Sequence, residues 1–195
     1  MIRLRKNCVG RFLLATLFLF MAFAAFPSHA FVWDIYYPSS KLIFEGNATG
    51  TPFTGTFSVF QAAVDFDPKK PDNARIEVNI DVRSAKTGDK EKDDYLSAKE
   101  WFDSGAIPFA QLIGTKVRKL SDKKFELTGL LTIKEVTQEI VLPFSMEDER
   151  DAQRIKGQVT INRLNYHIGS GSYANEAYVK KEVTIKIDLL AIPKK

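Results

Sequence analysis

The sequence predicts an all-β fold: an antiparallel, closed β-barrel of about eight strands, with one short helix in a long crossover. Apolar and polar residues alternate along most of residues 31–195, which is typical of strands with one buried face. Turn-forming residues separate short alternating segments, and this indicates antiparallel neighbours. The same region contains no cysteine, so a barrel built from it must be stable without disulfides.

Residues 1–30 have the composition of a secretion signal. Basic residues precede an apolar run over residues 12–26, and the small residues Ser28 and Ala30 follow it. The run is about fifteen residues long, shorter than the roughly twenty that cross a bilayer. We therefore expect cleavage after Ala30 instead of a retained anchor, and a single lipocalin-like domain over residues 31–195 that is periplasmic or secreted.

Removal of the signal changes the charge and the supply of metal ligands. The chain has 28 basic and 24 acidic residues, of which residues 1–30 contain four basic and no acidic ones, so the remainder is formally neutral. A neutral domain argues against nucleic-acid binding. Cys8 precedes the apolar run, unlike a lipid-modified cysteine, and His167 is the one histidine after Ala30. We therefore expect no metal site.

Seven segments show the two-residue period of a strand. In chain order they are residues 41–46, 55–66, 76–83, 125–133, 138–144, 155–161 and 182–189. Gly46, Gly129 and Gly157 lie inside these segments, where glycine often marks strong coiling or a close backbone approach. The glycines favour a barrel over a flat β-sandwich, which is the alternative.

One segment has a helical pattern. Apolar residues recur at helical spacing over Asp93–Phe102, Gly105 is suited to end a helix, and Pro108 prevents its continuation. The acidic residues Glu91 and Asp94 lie at or near its start, where carboxylates interact favourably with the helix dipole. We interpret them as capping and solvated residues, not as an acid/base pair.

Four motifs occur in order along the chain. They are SKLIFEGNATGTPFTGTF at residues 40–57, TGDKEKDDYLSAKEWFDSGAIP at 87–108, LTGLLTIKEVTQEIVLPF at 127–144 and NRLNYHIGSGSY at 162–173. Together they resemble the YceI-like family over nearly all of residues 33–192. The resemblance implies a periplasmic, lipocalin-like barrel that binds polyisoprenoid or other long-chain lipids. Lys134-Glu135 and the segment before Pro108 depart from the family pattern, at turns.

An eight-stranded barrel either fills its interior with its own side chains or holds one ligand, and the number of aromatic residues does not decide between the two. The resemblance favours a ligand, a polyprenyl lipid or an isoprenoid quinone, with no other cofactor. A dry packed core is the alternative. The residues predicted to line the lumen are Phe44, Phe57, Val78, Ile80, Phe102, Leu131, Ile133, Leu142, Phe144 and Ile161.

Three residues near the C-terminus are candidates for contact with a polar headgroup: Arg163, Tyr166 and His167. A salt bridge is the alternative for Arg163, and a surface position is the alternative for His167. The Gly-Ser repeat at residues 169–172 lacks the lysine and the strand-turn-helix context of a phosphate-binding loop, so we interpret it as a hairpin loop.

The sequence thus predicts an exported protein that sequesters or carries a long-chain amphiphile. We expect no catalytic residues, because no set of histidine, cysteine and carboxylate residues converges in the sequence. The alternatives are a periplasmic enzyme acting on such a lipid and a ligand-free, stress-related interaction module. Transient membrane contact and a homodimer are both compatible with these expectations.

Overall fold

The computed structural model describes residues 31–194, so the predicted signal over residues 1–30 lies outside the described residues. One α-helix, α1, spans Lys90–Leu96. The strands are β1 Val32–Ile35, β2 Lys41–Ala48, β3 Thr51–Phe57, β4 Phe60–Asp65, β5 Arg75–Asp81, β6 Ala85–Lys86, β7 Phe109–Ser121, β8 Lys124–Ile133, β9 Val136–Glu149, β10 Ala152–Asn162 and β11 Glu182–Pro193.

All strands belong to one antiparallel sheet in the order β1-β4-β5-β7-β8-β9-β10-β11-β2-β3-β6, which closes because β1 also pairs with β11. Strands β1 and β2 lie in succession along β11. Next in the sheet, β4 pairs with β1 and β3 pairs with β2. Beyond them, β5 pairs with β4 and β6 pairs with β3. Three long strands are therefore each divided by a break: β1 with β2, β3 with β4, and β5 with β6. Counted in this way the barrel has eight strands, and the predicted fold class is confirmed.

The breaks correct two predicted segments. Segment 55–66 is interrupted at residues 58–59, and segment 76–83 ends at Asp81, where the 3-10 turn Val82–Ser84 begins. Strand β7 was not predicted, because many of its residues are exposed on both faces. Its pairing with β8 also shifts register beside Gly114, and a bulge of this kind interrupts simple alternation.

The helix is shorter than predicted and begins earlier. It ends at Leu96, and residues 97–108 form consecutive turns instead of two further helical turns. The start is set by Asp89, whose carboxylate accepts hydrogen bonds from the backbone N–H groups of Glu91 and Lys92. Phe102 is nevertheless buried, because the turns fold back over the barrel.

Two phenylalanine–glycine pairs produce the strong coiling of the β2–β3 hairpin. Phe44 lies opposite Gly55, and Phe53 lies opposite Gly46. A side chain at Gly46 would place its Cβ 2.6 Å from the Phe53 ring, which is closer than atoms pack. Glycine at these positions therefore lets each aromatic ring lie directly on the neighbouring strand.

Strands β9 and β10 pair along only part of their length. Their ladder ends at the Phe144–Gly157 pair, next to Pro143, which has no N–H group to donate. Beyond this point the 3-10 turn Arg163–Tyr166 packs against β9. The turn therefore occupies the place along β9 that β10 leaves unpaired.

Candidate functional site

The barrel interior contains two apolar cavities that lie end to end. The upper one, beneath α1, has a volume of about 80 Å³, and the lower one a volume of about 110 Å³. They meet at four apolar side chains that line both: Leu42, Ile80, Leu131 and Ile185. We call these four side chains the waist, because they separate the two cavities of the lumen.

All ten predicted lumen residues line one cavity or both. The upper cavity is lined by Phe44, Phe57, Ile80, Phe102, Leu131, Ile133 and Ile161. The lower cavity is lined by Val78, Ile80, Leu131, Leu142 and Phe144. Their contact with a ligand stays a prediction. The alternation of each strand was sufficient to identify its inner face, since residues two apart point to the same side of a sheet.

An aromatic cluster closes the lower end of the lumen. The rings of Phe66 and Phe125 are nearly perpendicular, with centroids 5.2 Å apart, and the rings of Phe125 and Phe144 stack at 5.4 Å. Phe66 and Phe125 are both almost completely buried. Aromatic pairs of this geometry are favourable beyond the area they bury, so this end of the barrel is firmly packed.

The opposite end has an outer pocket of about 290 Å³ between α1 and the loop over residues 171–179. Its lining consists of Ala48, Thr49, Phe53, Thr87, Glu91, Lys92, Tyr95, Leu96, Trp101, Tyr173, Tyr178 and Val179. Four residues line both this outer pocket and the upper cavity: Phe53, Leu96, Trp101 and Val179. We call these four residues the neck, because they separate the lumen from a pocket with exposed residues at its edge.

Arg163 holds the loop that forms one wall of the outer pocket. Its side chain is 1% exposed, and its five N–H groups donate to backbone carbonyls. The acceptors are the carbonyls of Lys180, Ile168, Gly169, Tyr173 and Val179, at 2.6 to 3.0 Å. Burial lowers the pKa of Arg163 from its ordinary value.

The three headgroup candidates do not form one site. Arg163 is not at a rim and makes no salt bridge within residues 31–194. Its side chain lines the upper cavity, but its five N–H groups already have backbone partners, which gives it a structural role. A contact of Arg163 with a headgroup stays a prediction. Tyr166 is buried, and burial raises the pKa of its phenol. His167 is exposed, which agrees with the surface alternative. Neither lines the lumen cavities or the outer pocket.

Lys134, at a turn that departs from the family pattern, joins two segments near the outer pocket. Its ammonium group donates to the carbonyls of Lys99 and His167, at 2.8 and 3.1 Å. Burial lowers the pKa of Lys134. Lys134 and Glu135 both have positive φ, which is the backbone of a tight two-residue hairpin turn.

Sequence reasoning missed the neck and the aromatic residues beside it. Trp101, Tyr95 and Tyr173 form a chain of rings, with centroid distances of 5.7 Å for Tyr95–Tyr173 and 5.5 Å for Trp101–Tyr173. The E-W-F motif contains Trp101, but no periodicity assigns that side chain to a cavity. Among residues 31–194 no three His, Cys, Asp or Glu side chains are arranged to hold a metal ion, and no helix is long and apolar enough to span a membrane.

A model of the YceI-like domain family matches residues 33–191. This chain belongs to that family. A UPF0312 protein of Photorhabdus laumondii is 28% identical over 131 residues, which cover 63% of this chain and 68% of that protein. Protein YceI of Salmonella arizonae is 31% identical over 97 residues, which cover 50% of each chain.

Two solved structures have the same fold as this chain. Burkholderia cenocepacia BcnA is 30% identical, with a TM-score of 0.78 over 80% of this chain and 99% of that chain. A polyisoprenoid binding domain from Saccharophagus degradans is 16% identical, with a TM-score of 0.63 over 85% of this chain and 99% of that chain. The second likeness concerns the fold alone.

Proposed function

We propose that this protein is exported to the periplasm and carries a long-chain amphiphile, an isoprenoid lipid or quinone, in the barrel lumen. The observation that carries the proposal is the apolar lumen itself. Protein interiors have few voids larger than a water molecule, whereas these two cavities of about 80 and 110 Å³ are each several times larger. An apolar cavity gives water too few polar partners and favours an apolar ligand.

The lining supports a hydrocarbon tail as the bound part. Leu42, Ile80, Leu131 and Ile185 surround the waist, and the lower cavity has no polar side chain in its lining. Burial of about ten methylene groups at roughly 0.8 kcal/mol each contributes about 8 kcal/mol, equivalent to a micromolar dissociation constant before ordering costs. The tail alone can therefore supply useful affinity.

The fold relatives agree with this proposal. The Saccharophagus degradans domain that shares the barrel is described as polyisoprenoid binding. A ligand with a long hydrocarbon tail is poorly soluble, so loading and release would require transient contact with a membrane. The fold accommodates storage, transport or protection of such a ligand equally.

Native mass spectrometry of the purified full chain, before and after organic extraction, tests the proposal. We expect an adduct that extraction removes and that decylubiquinone or geranylgeraniol restores. A folded protein with neither an adduct nor reloading would contradict the proposal and would favour the ligand-free interaction module. Conversion of the bound lipid to a product would favour the enzyme alternative.

A further inference from the structure

One property sets the indole of Trp101 apart from the other residues of the neck. Like them, it lines both the upper cavity and the outer pocket, but it alone carries a polar group in its side chain. It is 9% exposed, and its N–H group has no hydrogen-bond partner within residues 31–194. A buried donor without a partner costs about 1 to 3 kcal/mol and is rare in folded proteins.

The comparison with Trp33 shows that this protein otherwise satisfies its indole donors. Trp33 is also buried, and its N–H group donates to the carbonyl of Phe66 at 2.7 Å. Trp33 lines neither lumen cavity nor the outer pocket. The unpartnered donor therefore occurs at the tryptophan that borders the lumen.

The surroundings of the outer pocket are not suited to an anionic headgroup. Lys92 is paired with Asp89, and Glu91 brings a negative charge to the same lining. Arg163, which contacts the Trp101 ring from below, uses all of its donors on backbone carbonyls. The outer pocket thus has an aromatic wall that includes the unpartnered indole of Trp101, and the residues that line it include no free cation.

We propose that the outer pocket is the headgroup site and the route into the lumen, and that Trp101 Nε1–H donates to an uncharged oxygen acceptor on the ligand. This inference rests on the proposed function. The acceptor is a quinone carbonyl or a prenol hydroxyl. The tail passes between the neck residues Phe53, Leu96, Trp101 and Val179 into the upper cavity, and the head stays beside the rings of Tyr95 and Tyr173.

The test compares Trp101→Phe with wild type, using four probes: decylubiquinone, geranylgeraniol, geranylgeranyl diphosphate and the hydrocarbon phytane. Native mass spectrometry titrations give the relative affinities. We expect Trp101→Phe to weaken decylubiquinone and geranylgeraniol about fivefold to tenfold, as for one hydrogen bond, and to leave phytane unchanged. The diphosphate should bind wild type no more tightly than the alcohol.

Trp33→Phe is the matched control, with circular dichroism confirming that both variants are folded. It should lower the melting temperature, because it leaves the Phe66 carbonyl without its donor, and it should preserve the order of the four affinities. Trp101→Phe removes a donor that has no partner among residues 31–194, so its effect on the melting temperature should be smaller.

Several results would overturn the headgroup assignment. Equal weakening of all four probes by Trp101→Phe would show that the indole contacts only the tail. Unchanged affinities, or a diphosphate that binds wild type more than tenfold tighter than the alcohol, would also contradict it. Failure of folded wild type to bind any of the probes would instead contradict the proposed function.

Discussion

The guanidinium of Arg163 lies 5.6 Å from the centroid of the Trp101 ring, a distance at which a cation interacts favourably with an aromatic face. The same guanidinium accounts for five hydrogen bonds to backbone carbonyls. One buried residue therefore fixes both the loop beside the outer pocket and the indole at the neck. The arrangement of the outer pocket and the neck depends on this contact.

Replacement of Arg163 by Met should destabilise the protein by more than about 3 kcal/mol, because it leaves several buried carbonyls without donors. Urea unfolding measures the change. Arg118→Met is the control, since Arg118 pairs with Glu126 on the surface at 2.7 Å, and an exposed pair contributes about 1 kcal/mol or less. Similar losses in the two variants would argue against the structural role of Arg163.

Replacement of Val78 by Phe should displace lipid with a modest change in melting temperature, because the larger side chain fills part of the lower cavity. In a dry, packed core the same change should instead destabilise by about 1 to 3 kcal/mol. Asn79→Asp is the control, since Asn79 contacts Gln111 on the outer face. Equal lipid retention by wild type and Val78→Phe would show that this face does not contact the ligand.

Replacement of Gly46 by Ala should slow lipid uptake. Its Cβ would lie 2.6 Å from the Phe53 ring and would displace that ring, which is part of the neck. The rate is measured by stopped-flow mixing with decylubiquinone, whose quinone ring quenches tryptophan fluorescence. Gly105→Ala is the control, because nothing lies within 4 Å of a Cβ at that position. An unchanged rate for Gly46→Ala would exclude Phe53 as part of the route.

Asp93 should make the free energy of unfolding decrease at acidic pH. Its carboxylate accepts from the backbone N–H of Thr87 at 2.6 Å, and this bond is the main reason that its pKa lies below 3.8. Because the folded pKa is lower than the unfolded one, the stabilisation is complete above the unfolded value and disappears as pH falls through the folded value.

We therefore expect the free energy of unfolding of Asp93→Asn to depend less on pH than that of wild type below about pH 4. Urea titrations at several pH values measure this slope. Asp94→Asn is the control, since Asp94 is exposed and pairs with Lys90 on the same helix. Equal slopes for wild type and Asp93→Asn would contradict the expectation.

The exported protein should begin at Phe31 and should be found in the soluble periplasmic fraction, because the apolar run over residues 12–26 is typical of a cleaved signal. N-terminal sequencing after cell fractionation measures this. Phe18→Arg is the control, since a charge within the run should block export and leave the precursor uncleaved. A wild-type chain that begins at Met1 in washed membranes would contradict the prediction.

The sequence by itself determined the closed barrel and its inner face. Alternation assigned Val78 and Ile80 to one face of their strand, and Leu131 and Ile133 to one face of theirs, because side chains two residues apart in a strand share a face. The four ordered motifs indicated the YceI-like family, which the match over residues 33–191 confirms. These conclusions depend on local periodicity and on order along the chain.

Only the tertiary structure decided how the outer pocket and the neck are built. Arg163 and Trp101 are 62 positions apart in the sequence, and they meet because the turn after β10 and the turns after α1 pack over the same end of the barrel. Hydrogen bonds from Arg163 to five carbonyls depend on the path of the loop backbone, which residue types do not specify. The headgroup candidates show this: a polar residue near a strand end gives no sign of whether it will be buried, as Tyr166 is, or whether its donors will already have partners, as those of Arg163 do.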